Sequence, residues 1–539
     1  MKLERTELFD QALALMENGP AFSFITGRAG TGKSTLLRHF RETTKLTAPT
    51  LAPTGVAALN VEGETIHRFF RFAPGINVKD ARRSASHAAD PQVYRKIDVL
   101  IIDEISMVRA DLLDCIDQFL RAIKKNPVPF GGVRVVAIGD LYQLPPVVST
   151  HEREAFSQAY DSPYFFGSQV MQELLNTDQV AFLELEKVYR QSDTSFIALL
   201  NGVRNRSLKE DQLAKLNRCV RTTQPDDAIV LTATNAAADS LNQKRLIGLK
   251  AKSHVYRATT RGEFPERETP TELELHLKKD CRVMCVSNDP GGRFVNGSLG
   301  WVRGFEQMTG QKNTNDKPED GDDWGEEDGD EETQPAVIVD LDEGGRIVVE
   351  AHTWTLYRST YDATSKHLEQ ERLGSFTQIP LRLAWAVTIH KSQGKTFDKA
   401  VIDLGNGAFA AGQTYVALSR CRTLKGLTLA HPLRISDIRL DFGVVKFVTA
   451  LQYQLAHRGQ SVEEKTQLLH AAVQQEQRLS IIYLKGKDEK STRVILPRSI
   501  GRELYNGKEF TAVRAWCDMR QDERVFNLER ILKIETCSP

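Results

Sequence analysis

The chain carries no net charge, because 71 lysines and arginines are matched by 71 aspartates and glutamates. That balance removes any whole-chain argument for attraction to nucleic acid or to an anionic membrane, although a strongly acidic stretch can mask a local basic surface in the total. Cysteine is scarce, seven in 539 residues, and only Cys281 and Cys285 come close in sequence. That pair does not make a metal site by itself, so the cysteines are read as reduced thiols, with neither zinc nor a disulfide expected. Long apolar runs are missing too. No uncharged stretch is long enough to span a bilayer, and Met1-Lys2-Leu3-Glu4-Arg5 has mixed charge where a secretory signal would be apolar, so a cytoplasmic protein is expected.

What is present is ordinary for a soluble protein, 41% apolar and 26% charged residues, over a length that exceeds what one hydrophobic core organises. Strand-like runs at 21–26, 99–103 and 133–139 alternate with helical stretches such as 111–120, which argues for a parallel sheet flanked by helices. A second α/β set begins near Val180, includes 229–232, and resumes at 383–387 and 399–403. The interruption has short strands and Gly-rich turns and reads as a small β-rich insert. The resulting expectation is an α/β chain with a first core at 1–178, carrying a small insertion near 60–95. A second core at 179–272 and 376–446 would be split by the insert at 273–375. A helical linker at 447–462 and a β-rich unit at 463–539 would follow. Within the insert, 315–333 is acidic and nearly devoid of apolar residues, so it is expected to be a disordered loop.

The most specific local signal is GRAGTGKST, running from Gly27 through Ala29, Gly30, Thr31, Gly32, Lys33 and Ser34 to Thr35, directly after the first apolar run. Glycines allow backbone angles that aim successive N–H groups at a phosphate chain. Lys33 would reach the β- and γ-phosphates, Ser34 would offer its hydroxyl to Mg²⁺, and the helix that follows would point its positive end at the same anion. Val99-Leu100-Ile101-Ile102-Asp103-Glu104 is an apolar strand ending in two carboxylates. In a P-loop protein Asp103 would hold Mg²⁺, and Glu104 would orient and deprotonate water. In Gly139-Asp140-Leu141-Tyr142-Gln143-Leu144-Pro145-Pro146, Gln143 sits after another buried strand, where it would sense the γ-phosphate.

The ordered motifs GRAGTGKST, LAPTGVAALN, TIHRFF, LIIDEISMV, IGDLYQLPPV, VYRQ, LTATNAAADSLN, TIHKSQGKTFD and YVALSRCRT closely resemble the petite-integration-frequency family of superfamily 1, group B DNA helicases, relatives of RecD. The resemblance covers roughly residues 20 to 440. It implies two RecA-like cores clasping ATP and Mg²⁺, a Src-homology-like β-barrel inserted in the second core, 5′-to-3′ movement on single-stranded DNA, and unwinding of duplex, forked or structured DNA. It also implies that Arg190 and Arg420 act as arginine fingers from a facing domain and that Gly394 faces the phosphates. Gln11 is the only candidate for the family's adenine-contacting glutamine, and its flanking match is poor. Pro53, Thr54, Gly55, His67 and Phe69 would meet DNA from the first core. Thr234, Asn235, His390 and Lys391 would do so from the second. His67, Arg68, Phe69 and Phe70 together supply the polar groups and flat rings that single-strand binding needs, and on a strand only one phenylalanine would face inward.

The last unit resembles the WYL-type domains of bacterial nucleic-acid-linked regulators, through Ile481-Ile482-Tyr483, Arg493-Val494-Ile495-Leu496-Pro497 and Ala515-Trp516-Cys517-Asp518-Met519-Arg520. Glu509-Phe510-Thr511 stands where the namesake triad would be. The resemblance implies a nucleic-acid contact through Arg493, Arg520 and Arg524. A monomer is expected. Two other readings stay open on the residues alone. One is a nucleotide-switched DNA-binding regulator that separates no strands, and the other is a P-loop kinase, which the arginine-bearing motifs far downstream disfavour.

Overall fold

Every position of Phe22–Gly27 and of Val99–Ile102 is buried, the mark of strands covered on both faces. They belong to a six-stranded parallel sheet in the order Glu64–Thr65, Thr50–Ala52, Val99–Ile102, Arg134–Gly139, Phe22–Gly27, Val180–Leu185. Helix Lys33–Thr43 buries Leu36, Leu37 and Phe40 on one face, and Ala110–Lys124 buries Leu112, Leu113, Ile116, Phe119, Leu120 and Ile123. The stripe of the first packs on Ile25, Val99, Ile101, Val136 and Ile138 of the sheet. The structure is a computed structural model that describes residues 6–537 except 55–56, 59–60, 62, 74, 89, 149–152, 190–192, 224, 226–227, 263, 265–268, 288, 290, 295–296, 310–332, 343, 362–367, 487–488 and 506–507.

The chain folds as two compact units, which cut it differently from the expected domains. The first takes residues up to 86, 94–220 and those from 406 onward, so the segments 179–220 and 406–446 pack with the first sheet. Within this unit the expected linker is a helix, Phe442–Gly459, seated on the first core. Phe447 stacks on Phe166 with ring centroids 4.2 Å apart, Gln454 Nε2 donates to Asp178 Oδ1 at 2.7 Å, and Arg458 pairs with the same carboxylate. The C-terminal five-stranded antiparallel sheet runs in the order Asp522–Asn527, Lys508–Cys517, Glu489–Tyr505, Leu479–Lys485, Ile531–Thr536. Helix Val462–Gln474 covers it, and Leu469, Ile481, Ile495, Val513 and Ile534 form its core.

The second unit holds 87–93 and 221–405. Its parallel strands Ile229–Thr232, Ala386–Thr388 and Ala400–Asp403 lie side by side, with Ile229–Thr232 central. Between the first two in sequence comes an antiparallel β insert. One sheet orders Arg346–Glu350, Thr333–Leu341, Leu299–Thr309, Arg282–Cys285 and Leu381–Leu383, and a second orders His352–Tyr361, Leu368–Gln378 and Thr259–Gly262. Leu277, Val283, Val302, Val337, Val339 and Leu381 fill its core. The acidic loop expected at 315–333 lies outside the described residues except for Thr333, which opens a strand. Among the described residues no helix is long and apolar enough to cross a membrane, and no three metal-ligating side chains cluster.

Candidate nucleotide-binding site

Strand Phe22–Gly27 ends at the carboxyl edge of its sheet, and the chain turns through 28–32 into helix Lys33–Thr43. The turn uses left-handed backbone at Gly30 (φ 82°) and Gly32 (φ 87°), angles that side-chain-bearing residues rarely adopt. Gly27 is constrained by space, since a Cβ there would lie 2.5 Å from Thr31 Oγ1 and 2.8 Å from Leu185 O. Thr31 closes the loop by donating from Oγ1 and N to Arg28 O at 3.0 and 3.3 Å. Lys33 Nζ donates to Gly27 O at 2.6 Å and to Arg28 O at 3.1 Å, so its ammonium is folded over the loop. Ala29 and Thr31 are buried, whereas Ser34 and Thr35 are exposed on the helix's first turn.

Strand Arg134–Gly139 lies between Phe22–Gly27 and Val99–Ile102, all three parallel, so Asp103 and Glu104 leave the sheet at the same edge as the loop. Burial, then the charge of Glu104, push the Asp103 carboxyl up to about 7, while the Glu104 backbone N–H and Lys33 pull the other way. Glu104 itself takes left-handed backbone, φ 50° and ψ 43°. A glutamate held there stores on the order of 1–3 kcal/mol of strain, which persists where surrounding structure fixes the position.

Gln143 is buried, its backbone N donating to Asp140 O at 2.9 Å. Gly412 (φ 72°) packs so tightly there that a Cβ would meet Gln143 O at 2.3 Å. From Gly412 runs helix Gln413–Ser419, buried at every position, and its Tyr415 hydroxyl accepts the Ala29 N–H at 2.9 Å. These contacts group the Arg420 helix with the loop in one compact unit. Arg420 is buried, with Nε donating to Val416 O and Nη2 to Ser419 Oγ, both at 3.0 Å. Arg190 lies outside the described residues. Its neighbour Tyr189 donates from N to Gly30 O at 2.8 Å, and its ring would lie 3.6 Å from a Cβ on Gly32. Gln11 is exposed on helix Glu7–Asn18 and donates to Glu7 Oε1 at 3.1 Å.

Residues 1–213 match the model of the PIF1-like helicase family, and 464–536 match that of the WYL domain. The chain is 32% identical over 478 residues to ATP-dependent DNA helicase Pif1 of Psychrobacter sp., covering 80% of this chain and 68% of that protein. The chain belongs to the PIF1-like helicase family. The human ATP-dependent DNA helicase PIF1 is 33% identical over 441 residues, covering 80% of this chain, and the chain spans about three fifths (61%) of that protein's length. A crystal structure of Pif1 helicase from Bacteroides in complex with ADP-AlF3 and ssDNA superposes with TM-score 0.62 at 33% identity, covering 83% of this chain and 97% of that one. The two parallel sheets are the two RecA-like cores of this PIF1-like chain.

The DNA-contact candidates divide between the two units. In the first, Pro53 and Thr54 are half-buried just past strand Thr50–Ala52, with Thr54 Oγ1 accepting from Ala57 N at 3.2 Å; Gly55 lies outside the described residues. TIHRFF is not the strand expected from its sequence but a helix, Ile66–Phe70, capped by Thr65 Oγ1. The two phenylalanines separate all the same. Phe70 is 1% exposed in a cluster with Phe72, Tyr94 and Phe119, whereas Phe69 is half-buried and meets Phe70 and Tyr94 edge-on. Burial lowers the His67 pKa, which Asp111 partly offsets.

In the second unit, Thr388 is in register with Thr232, and Ile389 N donates to Thr232 O at 2.9 Å. Thr234 and Asn235, which open helix Asn235–Gly248, therefore leave the same sheet edge as His390, Lys391 and Gly394 (φ 80°). Burial lowers the pKa of both His390 and Lys391, and Arg382 lowers Lys391 further. In the WYL domain Arg520 and Arg524 are exposed. Arg493 is only 9% exposed and donates to Ser491 Oγ at 3.2 Å and Cys517 Sγ at 3.7 Å, which withdraws it from a surface contact.

Four residues around the loop carry no role in the sequence reading: Asp140, Glu184, Arg204 and Tyr415. Asp140 and Tyr415 lie inside the motifs IGDLYQLPPV and YVALSRCRT. Arg204, in Leu199-Leu200-Asn201-Gly202-Val203-Arg204, gives no sign in sequence that its charge is buried.

Proposed function

We propose that this PIF1-like chain is an ATP-dependent DNA helicase that moves 5′ to 3′ along single-stranded DNA and unwinds duplex, forked or structured DNA. The observation that carries the reading is the meeting of Lys33, Asp103 and Glu104 at one sheet edge beside a loop with left-handed Gly30 and Gly32. The donor set fits a triphosphate with its cation: an ammonium, a hydroxyl at a helix N-terminus, a carboxyl and glycine-shaped backbone. Bound ATP would supply the anhydride bond whose cleavage drives movement, and Mg²⁺ would neutralise charge on the phosphates.

Residues 27 and 29–35 would cradle the phosphates, with Ser34 and Asp103 holding Mg²⁺ and Gln11 contacting the base. Glu104 would take a proton from the attacking water. Its left-handed backbone lies two residues past the end of strand Val99–Ile102. Gln143 would read the γ-phosphate and pass its state to Gly412 and the Gln413–Ser419 helix by direct packing. Arg420 would stabilise developing charge together with Arg190, which requires it to exchange Val416 O and Ser419 Oγ for a phosphate oxygen. Pro53, Thr54, Gly55, His67 and Phe69 on one core, and Thr234, Asn235, His390 and Lys391 on the other, would alternate their grip on DNA with nucleotide state, while Gly394 would face the phosphates. Arg520 and Arg524 would add a single-strand contact from the WYL domain. The working form would be a cytoplasmic monomer.

The test measures ATP turnover with and without single-stranded DNA, alongside strand displacement from duplexes tailed at the 5′ or the 3′ end. DNA-stimulated turnover with displacement of 5′-tailed duplexes is expected. Stimulation without displacement would replace the helicase by a nucleotide-switched DNA-binding protein, a preference for 3′ tails would reverse the polarity, and turnover indifferent to DNA would remove the reading.

A further inference from the structure

A line of charge, buried beyond its first member, joins the WYL domain to the phosphate loop. Lys490, at the start of strand Glu489–Tyr505, donates to Glu184 Oε2 at 2.9 Å and to Glu186 Oε1 at 3.4 Å. Glu184 sits on strand Val180–Leu185 opposite Thr26, one residue before the loop's Gly27. Its burial opposes ionisation, yet Lys490, Arg204 and the loop's own Arg28 hold the carboxyl below its usual range. Arg204, fully buried at the end of helix Thr194–Arg204, lies 4.0 Å from Glu184 Oε1 on one side. On the other, its Nη2 and Nε donate to Asp140 Oδ1 at 3.3 and 3.4 Å, with the guanidinium 3.9 Å over the Tyr142 ring. Asp140 neighbours the Tyr415 phenol, which burial and that carboxylate keep protonated, and Tyr415 holds the Ala29 N–H.

The links beyond Lys490 lie in the interior. Arg204, Asp140, Glu184 and Tyr415 are all withdrawn from water, where an ion pair is strong and an abandoned partner is costly, so a change at one end is felt along the line. The one partly exposed member is Lys490, and it belongs to a different domain from the rest. We propose that Lys490 is a positioning residue through which the WYL domain sets the phosphate loop's affinity for nucleotide, acting through Glu184, Arg204, Asp140 and Tyr415. The proposal deepens the nucleotide reading of the loop and rests on it. It gives the C-terminal domain a second task, independent of any DNA contact: whatever moves the domain, a bound strand included, would be reported to the loop by the strength of the Lys490–Glu184 pair.

The test uses the full chain and N-methylanthraniloyl-ADP as fluorescent probe, with thermal melting alongside. Lys490→Ala should weaken probe binding by about fivefold or more, the usual scale of coupling between sites. Lys490→Arg should restore it, and KM for ATP should rise with kcat nearly unchanged. Combining Lys490→Ala with Glu184→Gln should cost little beyond Glu184→Gln alone, because the two act on one link. Unchanged probe affinity in Lys490→Ala, whether or not the melting temperature falls, would overturn the proposal and leave the contact as simple domain docking. Lys33→Ala is the control for the reading beneath it: if that variant binds the probe as the parent does, the nucleotide assignment of the loop fails and the proposal with it.

Discussion

The Tyr415 hydroxyl accepts the Ala29 N–H at 2.9 Å, so an amide of the phosphate loop is held by a residue 386 positions away in the chain. Both groups are buried, and the amide has no water to turn to. Tyr415→Phe would leave that donor unsatisfied, at a cost of about 1–3 kcal/mol. Denaturant melts should register the loss, and ATP turnover should show a raised KM, since the loop would no longer be held in one arrangement. A variant with parental stability and KM would mean that the contact is incidental.

Asp103 predicts a pH dependence. Its folded value of about 7 lies above the ordinary 3.8 because burial and Glu104 disfavour the charge. A group with a raised folded pKa contributes stability that is fully present below the unfolded value and is lost as pH rises through the folded one. Asp103→Asn should therefore melt like the parent near pH 4 and progressively above it between pH 4 and pH 7. At pH 8, without nucleotide or divalent cation, it should lead by on the order of a few kcal/mol. Mg²⁺ with ADP should narrow that gap by favouring the ionised parent. Melting temperatures across this range that run parallel for the two proteins would contradict the assignment.

The left-handed Glu104 sets stability against function. Replacing it with glycine relieves backbone that glutamate adopts only under strain, so Glu104→Gly should be as stable as the parent or up to ~1 kcal/mol more so, while hydrolysis stops. Glu104→Gln keeps the strain and should bind nucleotide normally with turnover reduced by at least a hundredfold. Thermal melts, nucleotide titration and single-turnover hydrolysis separate these outcomes. Parental ATP turnover in Glu104→Gln would remove it as the base.

Much of this arrangement is legible in the sequence, for a physical reason. A loop that wraps phosphates needs its residues consecutive, so GRAGTGKST and the strand ends at Asp103 and Gln143 are local patterns. The amphipathic stripe of Ala110–Lys124 is local as well. The long-range partnerships are not. Nothing in Leu199–Arg204 distinguishes a fully buried arginine from a surface one, and nothing near Glu489 says that its neighbour Lys490 will meet Glu184 some 306 positions earlier. Nor does any local pattern say that Gly412 will pack on Gln143 or that Tyr415 will hold the amide of Ala29. Strand alternation is the expectation for TIHRFF, and the cap at Thr65 makes it a short helix. Burial and capping are decided by tertiary neighbours that a linear pattern does not contain.

That helix yields the most discriminating test of the DNA interface. On one turn of backbone it presents two adjacent phenylalanines to different surroundings: Phe70 closed in by Phe72, Tyr94 and Phe119, and Phe69 half-buried. Phe70→Ala would open a cavity in that cluster and should cost about 3–5 kcal/mol of stability. Phe69→Ala loses only edge-on contacts at 5.0 and 5.5 Å and should cost much less. If Phe69 is a platform for a base, its removal should weaken single-stranded DNA binding by about 1–3 kcal/mol, with ATP turnover in the absence of DNA unchanged. Melting, a fluorescence titration with a labelled oligonucleotide and basal turnover measure the three quantities on the same two proteins. Equal DNA affinity for Phe69→Ala and the parent would return Phe69 to the core, and the single-strand contact of the first core would then fall to Pro53, Thr54, Gly55 and His67.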